Sequence, residues 1–129
     1  MTSMAIRKEI SGTVEDTIPR VELALKEAGF GILTRIDFDQ KIKEKLGHVI
    51  PRTVILGACN PLLAYNAYQQ TTDVALLIPC NVVVRESGQN FVIIEAMRPT
   101  KMLEMLPAIT PDGSISDAEK RLAEAIERL

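Results

Sequence analysis

The chain carries four apolar runs that do not alternate with polar residues: Val54, Ile55 and Leu56; Val74 to Ile78; Val82 to Val84; and Phe91 to Ile94. An antiparallel sheet with one wet face reads apolar and polar in turn along each strand. Strands apolar on both parities need cover on both faces. Terminal helices can supply one cover. Helical inserts, a bound ligand or a second subunit must supply the other, and closed two-fold dimers are the commonest such solution. A homodimer is therefore expected.

The remaining elements follow from period and punctuation. "MAIRKEIS" alternates and reads as a first strand. Ile18, Val21, Leu25 and Ala28 make a helical stripe that Gly29 ends. Pro19 is expected in the first turn of that helix, with Asp16 or Thr17 as its N-cap. "FGILTRIDF" reads as a second strand with Phe30, Ile32, Thr34 and Ile36 on one parity. "DFDQKIKEKLG" reads as an amphipathic helix with the stripe Phe38, Ile42 and Leu46, an Asp37/Gln40 capping box and Gly47 as its stop.

"RTVILGAC" is a third strand, followed by a helix with Asn60 as N-cap and Pro61 at its first position. "DVALLIPCNVVVRE" reads as a long fourth strand broken or bent near Cys80, because Pro79 cannot donate to a sheet ladder. "ESGQN" turns it into a fifth strand, "FVIIEAM". Pro99 opens a short helix through Leu106, and a Ser116/Glu119 capping box starts the last helix, over residues 116–129. Sequential strands with a hairpin argue for an α+β fold on a mainly antiparallel sheet.

The 129 residues suit one domain spanning 1–129. A net charge of −2 offers no footprint for a phosphate backbone, and three Phe, two Tyr and no Trp leave little for base stacking, so no nucleic-acid partner is expected. No apolar run is long enough to span a bilayer, and "MTSMAIRKEI" lacks the apolar core of a signal peptide. The expected setting is cytoplasmic, away from membranes, with both cysteines reduced.

Two stretches, "GACNPLLAY" and "IPCNVVV", share a Cys-Asn step, and these are the two cysteines of the chain. Cys59 precedes a helix N-terminus, where the dipole favours a thiolate, yet burial alone also accounts for a cysteine at a strand end. Cys80 sits at the kink, on the parity of Val82 and Val84. Asn60 is explained as an N-cap. Asn81 is unusual in a strand and either bridges a backbone break or contacts a ligand.

If the third and fourth strands are neighbours, both steps meet at one end of the sheet. Neither a C-x-x-C pair nor a ligand cluster is present, so no metal and no cofactor are expected. His48, the one histidine, follows Gly47 at a helix end and reads as solvent-facing. Arg35, Arg52, Arg85, Glu95 and Arg98 lie in or beside strands and need partners wherever the sheet is covered. Tyr65 and Tyr68 read as core packing.

"GACNPLLAY", "LLIPCNVVV" with its hairpin, "AGFGILTRID" and "IKEKLG" together resemble the family of domain of unknown function 302, over residues 14–106. The resemblance implies a fold like half of the TATA-box-binding protein: β-α-β(4)-α, a curved antiparallel sheet carrying helices, here with two helical inserts. It implies no chemistry. Arg98 before Pro99 departs from the acidic or small residue that the resemblance leads one to expect.

Three kinds of function stay open. One is a homodimeric module binding a small ligand or partner near Cys59, Asn60, Cys80 and Asn81. A second is a thiol enzyme with Cys59 as nucleophile and Cys80 as resolving thiol, and a third is a pure interaction domain. A depressed thiol pKa would favour the second, a concave pocket the first, an exposed apolar patch the third.

Overall fold

The structure, a computed structural model, describes residues 3–129. Five strands, β1 (Ala5–Ser11), β2 (Gly31–Asp37), β3 (Thr53–Cys59), β4 (Cys80–Gly88) and β5 (Phe91–Met97), form one antiparallel sheet in the order β1-β5-β4-β3-β2. Five helices accompany them: α1 (Val14–Glu27), α2 (Phe38–Leu46), α3 (Pro61–Gln70), α4 (Pro99–Leu103) and α5 (Ser114–Glu127). The α+β expectation holds.

Register sorts the strand residues into two faces. Val54, Leu56 and Ala58 of β3 stand opposite Val84, Val82 and Cys80 of β4, and Val82 and Val84 stand opposite Ala96 and Ile94 of β5. This face packs under α1, through Ile18, Val21 and Leu25, and under α5, through Ala118, Leu122 and Ile126. Leu25, Leu56, Ile94 and Val84 are all at 1% exposure or less, so deleting any of them leaves a cavity. The other face carries Ile55, Val83 and Ile93, only half-covered. It also carries a charged row in which Glu95 accepts from both Arg7 and Arg85, each at 2.6 Å.

Several local expectations fail for tertiary reasons. Helix α1 begins at Val14 with Thr13 as its N-cap, whose hydroxyl accepts from Asp16 N–H, and Pro19 lies inside the helix. The proline removes the bond its N–H would give to the Glu15 carbonyl and crowds that carbonyl, and the buried stripe outweighs both losses. Gly29, at φ 91°, ends α1 as expected: its N–H and that of Phe30 turn back to Lys26 and Leu25.

The alternation expected of β2 breaks between Ile32 and Thr34, where Leu33 bulges out and is 60% exposed. Asp37 makes no capping bond for α2, because its carboxylate is taken by Arg35 and Arg52. None of the α2 stripe is fully buried.

The expected long fourth strand is the largest discrepancy. Residues Thr72–Leu76 form a 3₁₀ turn, with Thr71 Oγ1 accepting from Asp73 N–H, and β4 begins only at Cys80, after a cis Ile78–Pro79 peptide. The last helix starts at Ser114, not Ser116, behind the left-handed Gly113. Glu119 forms no box with Ser116. Its Oε1 accepts from the Thr100 N–H and hydroxyl at 2.9 and 2.7 Å, so α5 caps the first turn of α4. Helix α4 itself ends at Leu103, short of Leu106.

Candidate functional site

The register that opposes Ala58 to Cys80 brings the end of β3 to the start of β4, and with it the two Cys-Asn steps. Asn60 caps α3 as its sequence position implies: its Oδ1 accepts from Leu63 N–H at 3.2 Å, and Pro61 fills the first helical position. Beyond α3, Ala67, Val74, Leu106 and Ile109 form a small second core, packed by Leu77, Ile78 and Leu103.

Between this satellite and the main core lies an apolar cleft of about 80 Å³. Ala58 and Cys59 from β3, Leu63 and Ala64 from α3, Cys80 from β4 and Met102 from α4 line it. Asn60 also borders it, with its amide already engaged through Oδ1.

Three of the four expected site residues therefore meet. The fourth does not. Asn81 pairs with Gly57, points to the face away from α1 and α5, and is exposed beside a neighbouring groove that Met97 and Met105 also line. Two residues that sequence reasoning missed shape this end of the sheet, one lining the cleft and one beneath it on the outer face. Met102 places its Sδ 3.3 Å from Cys80 Sγ, a contact set by how α4 folds back and carried by no local motif. Gly57 is the other: a Cβ there would lie 2.1 Å from Thr34 Oγ1 and 2.6 Å from Pro79 Cγ. The absence of a side chain lets Pro79 lie on the sheet and fixes where β4 begins.

Both thiols are half-buried and unbridged. Burial raises the Cys59 pKa, and burial together with the neighbouring Cys59 pushes Cys80 up to about 11. The helix N-terminus does not make Cys59 a thiolate. Asn60 stands between it and α3, and desolvation dominates. At neutral pH both sulfurs are protonated, which opposes a nucleophilic role.

The other polar candidates are accounted for elsewhere. Arg52, at the opposite end of β3, holds Glu15, Asp37 and Asp39 at 2.8, 2.8 and 2.9 Å. The guanidinium hydrogen bonds lower the pKa of Glu15 and Asp37. Burial alone would raise Asp39, but the Thr53 N–H and Arg52 bring it down. Arg98 donates to the Ser3 carbonyl at 2.9 Å and reaches Glu119 at 3.6 Å, tying the start of β1 to α4 and α5.

His48 is exposed in the segment entering the far end of β3. Tyr65 and Tyr68 are 63% and 49% exposed, contrary to the expectation of core packing. The charged outer end of β3 and the α3 surface leave the cleft as the concave feature that the expected site residues share. No helix among the described residues is long and apolar enough to cross a membrane.

The chain matches the family described as "Domain of unknown function DUF302" over residues 6–129, a span that adds β1 and α5 to the stretch that first suggested it. It is also similar to a solved structure, an uncharacterized conserved protein DUF302 from Bacillus stearothermophilus. The two are 29% identical, with a TM-score of 0.83 over 98% of each chain. Among curated proteins, none matches.

Proposed function

Because the chain belongs to the DUF302 family, whose name carries no activity, we propose its function from the cleft: this one-domain protein is a cytosolic binding module for a small apolar ligand. The observation that carries the reading is the cleft itself, walled by Leu63, Ala64 and Met102 and bordered by Cys59, Asn60 and Cys80. Ligand sites of this kind are concave and mostly apolar, with few polar groups. At about 80 Å³ the open cleft suits a small aromatic ring system or a short branched chain. A likeness to half of the TATA-box-binding protein enters this reading as architecture only, since function lives in the site and not in the scaffold.

Indole is a suitable probe. Calorimetric titration should give saturable binding to the native chain, and Ala64→Leu, which fills the cleft, should remove most of it. No saturable heat with the native chain, or unchanged binding in the variant, would refute the reading.

A second copy on the outer sheet face is the companion proposal. Ile55, Val83 and Ile93 are half-covered there, and Ile36 and Phe91 are 45% and 49% exposed. Ile36, Ile55 and Val83 stand side by side across β2, β3 and β4, next to the Arg7–Glu95–Arg85 row, and an exposed apolar strip with a charged border is the kind of surface on which chains associate.

A further inference from the structure

We propose that the outer groove beside Asn81 is a second site, one that takes a medium-chain fatty-acid anion. The groove lies on the sheet face away from α1 and α5 and reaches from the 3₁₀ turn at Leu76 to Ala5 and Arg7 of β1. Its volume is about 610 Å³, within the range of small-molecule sites. Of the apolar strip offered to a second copy it shares only Val83.

Four of the chain's five methionines line this groove: Met4, Met97, Met102 and Met105. Met4, Met105 and the neighbouring Leu76 are exposed, so the apolar wall is open to an incoming chain. Methionine is unbranched and its thioether polarisable, and such walls adapt to a flexible apolar partner. Met97 follows Glu95 by two residues on the same sheet face, so the apolar wall begins directly beside the polar end of the groove.

That polar end selects the head group. Arg7 donates to Glu95 through Nε, with Nη2 also 2.6 Å from the same carboxylate oxygen, and Arg85 donates to the other oxygen at 2.6 Å. Two guanidinium groups on one carboxylate leave a net positive charge. Arg7 is half-exposed, and its Nη1 donates to no group among the described residues. Glu9, farther along β1, does not line the groove and accepts from the Ser87 hydroxyl. Asn81 stands close by: Val83 pairs with Glu95, so Asn81 is the diagonal neighbour of Glu95 on the same face. Sequence leaves Asn81 two uses, bridging a backbone break or contacting a ligand. Gly57 and Pro79 fix the start of β4 without it, and its side chain joins none of the hydrogen bonds among the described residues. Arg7 and Asn81 thus both offer N–H donors, the complement of a carboxylate, next to a wall that suits its chain.

The test is calorimetric titration of the full chain with decanoate below its micelle concentration, alongside methionine-methyl NMR. Binding should saturate and shift Met4, Met97, Met102 and Met105 together. Octanoate should bind about fivefold more weakly, short of the full loss of two buried methylenes. Decanol, which lacks the charge, should bind about tenfold more weakly, and Arg7→Gln should lower decanoate affinity by about the same factor, with Arg7→Lys restoring part of it. Asn81→Leu should lower it about threefold. Ala64→Leu, which fills the cleft, should leave it unchanged. Absence of saturable binding overturns the proposal. So does decanol matching decanoate, unchanged affinity in Arg7→Gln, or loss of binding in Ala64→Leu with Met97 and Met105 unmoved, which would put the chain in the cleft. Indole binding without decanoate binding overturns this site alone, and decanoate binding without indole binding overturns only the cleft reading.

Discussion

The two ends of β3 are built on opposite principles. At its start, Arg52 gathers Glu15, Asp37 and Asp39 within 2.9 Å, and Thr53 N–H adds a bond to Asp39 at 3.1 Å. Every charge there has a partner, so the end is closed. At its finish, Cys59, Asn60 and Cys80 border an apolar cleft that the described residues leave unfilled. A cluster of charged residues beside a strand invites a functional reading from sequence, yet here it ties α1, β2 and α2 to β3. The end made of small and soft residues is the one that keeps an open concavity. The lesson is that satisfied polarity marks structure, and unfilled concavity marks a site.

Arg52→Met breaks the closed end and has the largest expected effect. It leaves three carboxylates without their cation. Such a loss costs about 3 to 5 kcal/mol when fully buried. Solvent around Glu15, whose side chain is 64% exposed, screens part of this. About 2 kcal/mol is expected in urea unfolding.

The acid limb should change with it. Glu15, Asp37 and Asp39 have folded pKa values below their ordinary ones. Their contribution is therefore complete above the unfolded values, near pH 4, and is lost as pH falls through the folded ones. Native stability should drop across that acidic window, and Arg52→Met should show a shallower drop. An equal slope in the two proteins would mean that the cluster is not an ion-paired lock.

Gly57→Ala attacks the open end from beneath. Its Cβ meets Thr34 Oγ1 and the Pro79 ring; overpacking costs about 1 to 3 kcal/mol, and with Thr34 able to turn its hydroxyl aside the lower end, about 1 kcal/mol, is expected. Because Pro79 precedes Cys80, the same change should weaken indole binding, whereas Arg52→Met should leave it intact. Calorimetry on the two variants checks this contrast.

Ile93→Lys is the mildest change. On a half-covered outer face it should alter the unfolding free energy of the subunit by only about 0.5 kcal/mol. It should nevertheless convert a dimer to a monomer in sedimentation velocity. A native chain that sediments as a monomer would remove the dimer proposal outright.

Much of this was legible in the chain. The α1 stripe, the β4–β5 hairpin, Asn60 with Pro61, and the meeting of the two cysteines are local or pattern properties, and each appears as read. What escaped depends on distant partners. Glu119 abandons its own helix to cap α4 at Thr100, and Asp37 gives up its cap to Arg52. The apolar run from Val74 to Ile78 has strand composition, yet Val74 is its one fully buried residue and the run coils into a 3₁₀ turn. At the cleft, Cys59, Asn60 and Cys80 were singled out by motif. Met102 and Gly57 were not, because their roles are contacts across the fold. Asn81 was misplaced because alternation after Pro79 turns it to the opposite face from Cys80.

The most direct test is a methyl NMR spectrum of the native chain titrated with indole, with both ends of β3 observed together. The shifts should concentrate at Leu63, Leu103 and Ile115 around the cleft and saturate along one curve, with Val14 and Val54 beside the Arg52 cluster unmoved. Shifts centred on Val14 and Val54, or spread over Val83 and Ile93 on the outer face, would contradict the assignment of the open end as the binding site.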